Sequence, residues 1–225
     1  MEKKDIIEAI KQAKAAKKKG KFIQTIDIAV NLKELDITKE EAKINELIQL
    51  PQGRAKPAKV CAFVGPELKD QATKLCYKVI LSDNFPKWTE ARKGKKLARE
   101  CDFFIAQANI MPDVAKTFGR YLGVLGKMPN PKMGQIVPPK ANLEPLVKRL
   151  KNSVNLTIKK SPVIPCGVGN EKMGDEQIAE NINAVLERLT TKLPRGKHNI
   201  ASVIVKTTMG SPIKIGEKSG EETKS

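Results

Sequence analysis

The middle of the chain alternates between apolar runs and amphipathic segments, and this alternation constrains the fold more than any other feature. The apolar runs are AKVCAFVG (58–65), VILSD (79–83) and DFFIAQAN (102–109), and a helix-forming segment follows each of them. A further amphipathic segment, ANLEPLVKRLKN (141–152), ends the series. Regular alternation of strands and helices is typical of a parallel sheet covered by helices. The sequence therefore predicts an α/β domain in the middle of the chain.

The amino-terminal end follows a different pattern. Ile6, Ile10 and Ala13 recur at helical spacing among lysines, so the opening segment predicts a basic amphipathic helix. The segment KFIQTIDIAVNL (21–32) alternates apolar and polar residues as a strand does, and INELIQL (44–50) is expected to be its antiparallel partner. An isolated hairpin is marginal in water, so these strands require further partners.

The carboxyl-terminal end offers those partners. Three apolar runs predict strands, namely NLTIKK (155–160), VIPCGV (163–168) and NIASVIVKTT (199–208). Between the last two, DEQIAENINAVLERLTTK (175–192) carries its apolar residues on one helical face. We therefore expect the two chain ends to build one α+β domain together.

Two stretches mark where the chain crosses between these domains. They are the proline-containing LPQGRAKPAK (50–59) and the polar LKNSVN (150–155). The predicted outer domain comprises residues 1–52 and 155–225, and the predicted inserted domain, Rossmann-like in its α/β pattern, comprises residues 53–154. The predicted fold class is thus α/β and α+β, with a Rossmann-like domain inserted into an outer α+β domain.

The charge of the chain indicates the kind of partner it binds. Lys and Arg number 42 against 25 Asp and Glu, which leaves a formal net charge of +17 and favours a polyanion over a small neutral substrate. Nucleic acid is the first candidate, because no apolar run is long enough to span a membrane and no leader opens the chain. Aromatic residues make up 4% of the chain, which disfavours a binder that stacks single-stranded bases. We expect a cytoplasmic protein without a membrane partner.

The residue types that commonly hold metals or act as nucleophile–base pairs are sparse. The four cysteines, Cys61, Cys76, Cys101 and Cys166, are widely spaced and form no C-x-x-C pair. His198 is the only histidine, and the surrounding PRGKHNI does not resemble a nucleophile elbow. We therefore predict no metal, no cofactor and no enzymatic activity.

One enzymatic alternative stays open. The segment VGPEL (64–68) follows the first strand of the middle domain, and Asp83 ends the second strand, about where a ribose-binding acid lies in dinucleotide-binding folds. Only Gly65 is present where that fingerprint needs three glycines, and GVG (167–169) is similarly incomplete. The alternative to a binding protein is a Rossmann-like enzyme that modifies a nucleotide or nucleic acid.

A proline- and glycine-rich segment, GKMPNPKMGQIVPP (126–139), follows the third helix of the middle domain. Proline fixes φ and lacks an amide donor, so the segment cannot be the interior of a helix or a central strand. An ordered loop would hold Lys127 and Lys132 on a shaped backbone that suits an anionic partner. A solvated connector with incidental lysines is the competing interpretation.

Four segments, in the right order, resemble the ribosomal protein L1 family, the L-one proteins of the large-subunit stalk. TFGRYLGVLGKMPNPKMGQIVPP (117–139) resembles the signature loop of that family, and KTTMG (206–210) resembles its carboxyl-terminal RNA-binding strand. KFIQTIDIAVNL (21–32) is similar to its first strand, and LPQG (50–53) to its domain crossing. The resemblance covers nearly the whole chain except the tail EKSGEETKS, and M-P-N-P-K-x-G is a highly specific motif.

The resemblance implies a structural, non-enzymatic constituent of the large ribosomal subunit. It implies that the protein binds large-subunit rRNA at the mobile stalk beside the exit site, and that it helps deacylated tRNA to leave. Family members commonly also bind a similar fold in their own mRNA and repress its translation. The implied partners are therefore large-subunit rRNA, the protein's own mRNA and exit-site tRNA, with the protein acting as a monomer within the ribosome.

The resemblance also implies which residues of the outer domain bind RNA. They are Lys21, Phe22, Thr25, Lys206, Thr208, Met209, Gly210 and Ser211. A small hydroxyl and a bare glycine backbone allow close approach to the 2′-hydroxyls and phosphates of A-form RNA. Taken without the resemblance, Thr25 is an ordinary strand residue, Phe22 an anchor for the first helix and Met209 a core residue.

The second domain contributes Lys127 and Lys132 of the signature loop to the predicted site. Two departures from the family pattern remove possible phosphate contacts. Many members have Pro-Arg where Val124 and Leu125 stand, and a lysine where Asn170 stands. The loop is expected to be a rigid binding or packing element and not a catalytic one.

Overall fold

A computed structural model describes residues 3–16, 22–35, 44–88, 90–158 and 161–216. Its contacts divide the chain into two compact units. The outer unit comprises residues 1–56 and 153–225, and the inserted unit comprises residues 57–152. The fold class predicted from the sequence is confirmed. The predicted domain boundaries, and the assignment of RNA binding to the outer domain, stay predictions.

The elements follow one another in an order that switches from one unit to the other and back. The helices are α1 (Lys3–Ala15), α2 (Lys69–Leu75), α3 (Ala91–Glu100), α4 (Met111–Leu125), α5 (Glu144–Lys151) and α6 (Asp175–Lys192). The strands are β1 (Thr25–Leu32), β2 (Asn45–Gln49), β3 (Val60–Val64), β4 (Lys78–Leu81), β5 (Phe103–Gln107), β6 (Ile136–Val137), β7 (Ser153–Thr157), β8 (Val163–Asn170), β9 (Ile200–Thr207) and β10 (Ile213–Lys214).

The outer unit contains a four-stranded antiparallel sheet in the order β10-β9-β1-β8. The predicted pairing of β1 with the segment 44–50 is wrong. β1 pairs on one edge with β8 and on the other with β9, each of which has eight residues like β1 itself, whereas β2 has five. Two full-length neighbours satisfy the backbone groups on both edges of β1, which one short strand cannot do.

β2 forms a separate two-stranded sheet with β7, from Asn45 opposite Thr157 to Gln49 opposite Ser153. The predicted strand NLTIKK therefore begins earlier than expected, at Ser153, and pairs outside the main sheet. Both strands contribute buried side chains to the same hydrophobic core as the four-stranded sheet, including Ile48 and Leu156.

α1 and α6 cover one face of the four-stranded sheet. The alternation of β1 turns Ile26, Ile28 and Val30 into the core beneath these helices and leaves the intervening residues on the opposite face. The predicted apolar face of the first helix, Ile6, Ile10 and Ala13, is fully buried.

The contact between the two helices is also polar. The Lys14 ammonium lies 2.6 Å from the Asp175 carboxylate and 2.8 Å from the Met173 carbonyl, and so joins the end of α1 to the start of α6. Gly20, at which the sequence MEKKDIIEAIKQAKAAKKKG suggests a helix stop, lies outside the described residues.

The inserted unit contains a parallel sheet in the order β4-β3-β5-β6, as the alternation predicts. Every residue of β3 and β5 is buried, which is typical of a parallel sheet covered on both faces. Phe63 stacks on Phe104 and touches Phe85 and Phe118 at the centre of one core layer. β6 is a two-residue edge strand within the proline-rich segment, and the sequence analysis did not predict it.

Candidate nucleic-acid interface

Thr25 and Thr208 face each other at one end of the four-stranded sheet. β1 begins at Thr25 and β9 ends at Thr207, and because the strands are antiparallel the start of one meets the end of the other. The Thr208 amide donates to the Thr25 carbonyl at 3.1 Å, and the Thr25 amide donates to the Thr208 hydroxyl at 3.2 Å. The two hydroxyl oxygens are 2.8 Å apart. Two predicted site residues thus form one hydrogen-bonded pair.

The turn after Thr208 is held by the protein itself. The Met209 amide donates to the side-chain oxygen of Gln24 at 3.0 Å, and the Gly210 amide donates to the Thr207 carbonyl at 3.1 Å. Gln24 is only 1% exposed, so it is a fixed partner. The amides of residues 208–210 therefore all bond inside the protein.

Gly210 is required by packing within the protein. A Cβ at this position would overlap the Thr207 hydroxyl and would lie 3.4 Å from the Ala16 carbonyl at the end of α1. Thr207 is buried, and among the described residues its hydroxyl has no hydrogen-bond partner. The absence of a side chain at residue 210 lets the turn close against α1, which is a second reason for glycine besides access for RNA.

Exposed apolar side chains lie next to the threonine pair in sequence. Phe22 is 53% exposed, Ile23 43% and Met209 54%, and among the described residues these are three of the six large hydrophobic residues with exposed side chains. The interpretation of Met209 as a core residue is wrong, because its side chain is exposed. That of Phe22 as a helix anchor stays a prediction. Concentration of exposed apolar side chains at one place is typical of an interaction site.

Asp27 and Lys206 extend the site along the open face of the sheet. They are register partners on β1 and β9, and both are partly buried. Burial raises the pKa of the Asp27 carboxyl above its usual range, against the opposing effects of the Lys206 ammonium and a hydrogen bond from the Thr25 hydroxyl. The sequence analysis missed Asp27, although its position two residues after Thr25 puts both side chains on one strand face.

The Thr208 hydroxyl has two possible hydrogen-bond partners on Thr25. It lies 2.8 Å from the Thr25 hydroxyl, where either atom could be the donor, and 3.4 Å from the Thr25 carbonyl. Each threonine hydroxyl has one hydrogen and two lone pairs, so the pair keeps acceptor capacity for a partner. We call the residues of this cluster the strand-end surface; they are Phe22, Ile23, Thr25, Asp27, Lys206, Thr208 and Met209.

Two further predicted residues adjoin the strand-end surface in sequence. Ser211 is exposed directly after Gly210. Lys21 lies outside the described residues. The structure thus brings together Phe22, Thr25, Lys206, Thr208 and Met209 of the predicted set.

Lys127 of the second-domain loop bonds within the inserted unit. Its ammonium donates to the carbonyls of Ala98 and Cys101 at 3.0 and 2.7 Å, at the carboxyl end of α3. A cation at this end of a helix is favourable because the last carbonyls lack partners and the helix dipole is negative there. Lys127 therefore has a structural role that the sequence analysis did not anticipate.

The loop around Lys132 is ordered, and the Lys132 side chain is exposed. The Asn130 side chain accepts from the Lys132 amide at 2.9 Å and caps a single helical turn, Pro131–Met133. Arg149 donates to the Met133 carbonyl at 2.7 Å, and Gly134 adopts a φ of +67° that favours glycine. The prediction of a phosphate contact in this loop therefore rests on Lys132 and not on Lys127.

One of the positions that depart from the family pattern, Asn170, has a local explanation. The Asn170 side chain accepts from the amides of Lys172 and Met173 and donates to the Ala55 carbonyl, so it stabilises the turn after β8. Val124, at the end of α4, is 84% exposed and nothing in the structure explains an apolar residue there.

The inserted unit also has the topological switch point at which open α/β sheets bind nucleotides. β3 lies between β4 and β5, so the connections diverge at its carboxyl end, next to Gly65. The Gly65 amide donates to the Gln107 side chain at 2.8 Å, and the Gln107 amide group donates to the Glu67 carboxylate at 3.4 Å. A phosphate at this place would have to displace Gln107 and approach an acidic side chain.

Among the described residues, neither the strand-end surface nor the end of β3 beside Gly65 contains a metal site or a reactive thiol. Within the described ranges, no group of three or more His, Cys, Asp or Glu side chains is arranged to hold a metal ion. Burial raises the pKa of Cys76 to about 11 and that of Cys166 to about 12, so both thiols are protonated at neutral pH. No helix among the described residues is long and apolar enough to cross a bilayer.

Comparison with known proteins agrees with the resemblance stated above. The model of the Ribosomal protein L1p/L10e family matches residues 9–211. The large ribosomal subunit protein uL1 of Methanothermococcus thermolithotrophicus is 42% identical over 216 residues, which cover 96% of this chain and 99% of that protein.

The protein of the same name from Pyrococcus horikoshii is 41% identical over 216 residues, covering 95% of this chain and 96% of that protein. The one from Nanoarchaeum equitans is 40% identical over 213 residues, covering 93% and 98%. The matched region includes the strands that form the strand-end surface and the loop that carries Lys132. The chain belongs to the ribosomal protein L1 family.

Proposed function

We propose that this chain is a structural constituent of the large ribosomal subunit and binds large-subunit rRNA through its strand-end surface. The observation that carries the proposal is the paired Thr25 and Thr208 hydroxyls, which lie at one end of the open sheet, next in sequence to exposed apolar side chains. The net charge of +17 supports an RNA partner, because neutralising phosphates releases condensed counterions. As a member of a ribosomal protein family, the chain works in the cytoplasm, at the ribosome.

The acceptors of the strand-end surface suit RNA in particular. The strand-end surface presents lone pairs of Thr25, Thr208 and the Asp27 carboxylate, and these accept hydrogen bonds. The 2′-hydroxyl of ribose is a donor that DNA lacks, and it lines the wide minor groove of an A-form helix. Lys206 supplies a cation for the neighbouring phosphates, and Phe22 and Met209 cover the contact from water.

The finer roles of the proposal extend from this surface. A similar fold in the protein's own mRNA would compete for the same strand-end surface, and its capture would repress translation of that mRNA. On the ribosome, the rRNA-bound chain would shape the mobile stalk, contact exit-site tRNA and assist release of deacylated tRNA. One monomer per ribosome suffices, since the strand-end surface is formed within a single chain.

The alternative, a Rossmann-like enzyme that modifies nucleotides or nucleic acid, needs an open phosphate site. The Gly65 amide, where that site would form, is bonded to Gln107. This bond favours RNA binding over the enzymatic alternative.

The experiment that tests the proposal is filter binding of a large-subunit rRNA fragment to the Thr208→Val variant. Valine keeps the shape and suits a strand end, but lacks the hydroxyl. We expect a loss of about tenfold or more in affinity, because a polar RNA group is left unpaired at about 1–3 kcal/mol. Thr157→Val on β7 is the matched control, since its hydroxyl donates to the Asn45 side chain at 3.4 Å, away from the strand-end surface. Equal affinity of the two variants would contradict the proposal.

A further inference from the structure

One helix of the inserted unit has a face made of cations alone. Arg92, Lys95, Lys96 and Arg99 of α3 recur at positions i, i+3, i+4 and i+7, which is one face of a helix, and all four are exposed. Leu97 and Ala98 on the opposite side are buried in the core of the unit. We call these four residues the cationic face of α3.

The cationic face is not balanced by acids. Among the described residues, no carboxylate forms an ion pair with any of its four members. Elsewhere in the inserted unit, helix cations do have acidic neighbours, as Lys148 has Glu144 at 2.6 Å and Lys93 has Glu90 at 3.0 Å. Glu100, the acid closest in sequence to this face, bonds instead to Tyr77 and Lys78.

Four like charges on one helix face repel one another in the free protein. Like-charged side chains three or four residues apart destabilise a helix, and this face contains four such pairs. A solvated helix gains nothing from this arrangement, whereas a bound polyanion converts the repulsion into attraction.

The cationic face is held rigidly. A Cβ on Gly94 would lie 2.5 Å from the Tyr121 ring, so the absence of a side chain lets α3 pack directly on α4. Lys127 fixes the carboxyl end of the same helix through Ala98 and Cys101. A helix clamped at its middle and its end offers its cations in a fixed array, which lowers the entropic cost of binding.

We propose that the cationic face of α3 binds the phosphate backbone of a second RNA segment, separate from the segment held by the strand-end surface. The two arginines can each grip a phosphate with two N–H groups, and the two lysines add point charges between them. Such contacts carry no sequence information, so this surface adds affinity and orientation without base specificity. The inference rests on the proposed RNA-binding function of the chain.

The test compares two full-length variants with the same net charge. In one, Arg92→Gln, Lys95→Gln, Lys96→Gln and Arg99→Gln remove the cationic face. In the control, Lys69→Gln, Lys74→Gln, Lys116→Gln and Lys140→Gln remove four exposed cations scattered over the same unit. Glutamine is a good helix former, so both variants are expected to fold. Each protein is titrated with a fluorescent twelve-base-pair RNA duplex of arbitrary sequence, alone and after saturation with the large-subunit rRNA fragment.

We expect the first variant to bind the duplex about tenfold more weakly than wild type, and the slope of log K against log salt to fall by about 2–3, as three or four phosphate contacts are lost. Its affinity for the rRNA fragment should stay within about twofold of wild type, and its Tm should rise by about 2–4 °C as the repulsion is relieved. Duplex affinities that are equal for the two variants, or unchanged from wild type, would overturn the inference.

The failure of this inference is distinguishable from the failure of the proposed function. Weak binding of the rRNA fragment by wild-type protein would contradict the proposed role of the strand-end surface, whereas the duplex titration could still be interpreted. If the fourfold variant does not fold, the double variant Lys95→Gln with Lys96→Gln is compared with the double variant Lys69→Gln with Lys74→Gln. The inference then requires that the slope of log K against log salt for the duplex changes more in the first double variant than in the second.

Discussion

The Thr25 and Thr208 hydroxyl oxygens lie 2.8 Å apart, at two strand ends that are 183 residues apart in the chain. The Thr25 amide donates to the Thr208 hydroxyl at 3.2 Å, and the Thr208 amide donates to the Thr25 carbonyl at 3.1 Å. These bonds hold both residues in place before a partner arrives, and each hydroxyl oxygen has two lone pairs. The strand-end surface therefore offers preorganised acceptors.

The exposure of Met209 separates a binding role from a structural one. Met209→Ala is expected to change the free energy of unfolding by less than about 0.5 kcal/mol, since the side chain is 54% exposed, and to weaken rRNA binding. Ile28→Ala, at a core position that is 1% exposed, should lower the free energy of unfolding by about 2–5 kcal/mol. Urea denaturation and filter binding of both variants check this. A strongly destabilised Met209→Ala protein would mean that Met209 packs in the core.

The turn at Gly210 should not accept any side chain. Gly210→Ala would force a methyl group against the Thr207 hydroxyl, and we expect a loss of about 1–3 kcal/mol of stability from overpacking. Combining it with Thr207→Ala removes the clashing hydroxyl and should recover part of that loss. A double-mutant cycle of unfolding free energies measures the coupling. Strict additivity of the two single changes would show that the clash is not the cause.

Asp27 should make stability depend on pH. Its pKa is raised in the folded protein above the value of 3.8 for a free carboxyl. The stability contributed by its protonated form is therefore fully present below that value, and is lost as pH rises through the folded pKa. Relative to Asp27→Asn, wild type should thus become less stable as the pH rises from 3.8 through the raised pKa of Asp27 in the folded protein.

Urea denaturation of wild type and Asp27→Asn at several pH values measures this difference. At neutral pH the variant should be at least as stable as wild type, while its rRNA affinity should fall, because one carboxylate acceptor is replaced by an amide donor. A difference in unfolding free energy that does not change with pH would exclude a raised pKa for Asp27.

The two lysines of the proline-rich loop should behave differently. Lys127→Met removes a charged donor from the carbonyls of Ala98 and Cys101, and should cost about 1.5–3 kcal/mol of stability. Lys132→Met changes an exposed side chain and should leave stability within about 0.5 kcal/mol of wild type. Thermal unfolding of the two variants tests this prediction. Equal destabilisation would contradict the structural role of Lys127 at the carboxyl end of α3.

Local pattern was enough to predict several elements. The amphipathic segment 175–192 coincides with α6, and the apolar runs of the middle domain coincide closely with β3, β4 and β5. Helical and strand periodicity depend on near neighbours in sequence, and the side that is buried follows from that periodicity. The L1-family motif identified the family for the same reason, since a motif is a local property of the sequence.

Strand pairing and the candidate site depended on the tertiary structure. The pattern of β1 shows which face is buried but not which strands lie beside it. The neighbouring segment 44–50 was therefore wrongly chosen as its direct partner, and although the carboxyl-terminal strands were expected in the same domain, only the tertiary structure placed β8 and β9 on its two edges. Asp27 joined the site only once Lys206 and Thr25 had been brought next to it. The role of Lys127 could not be predicted either, because the local sequence around a loop lysine is the same whether its ammonium binds a phosphate or two carbonyls. Contacts between residues far apart in sequence are fixed by the packing of the whole unit, and no local period encodes them.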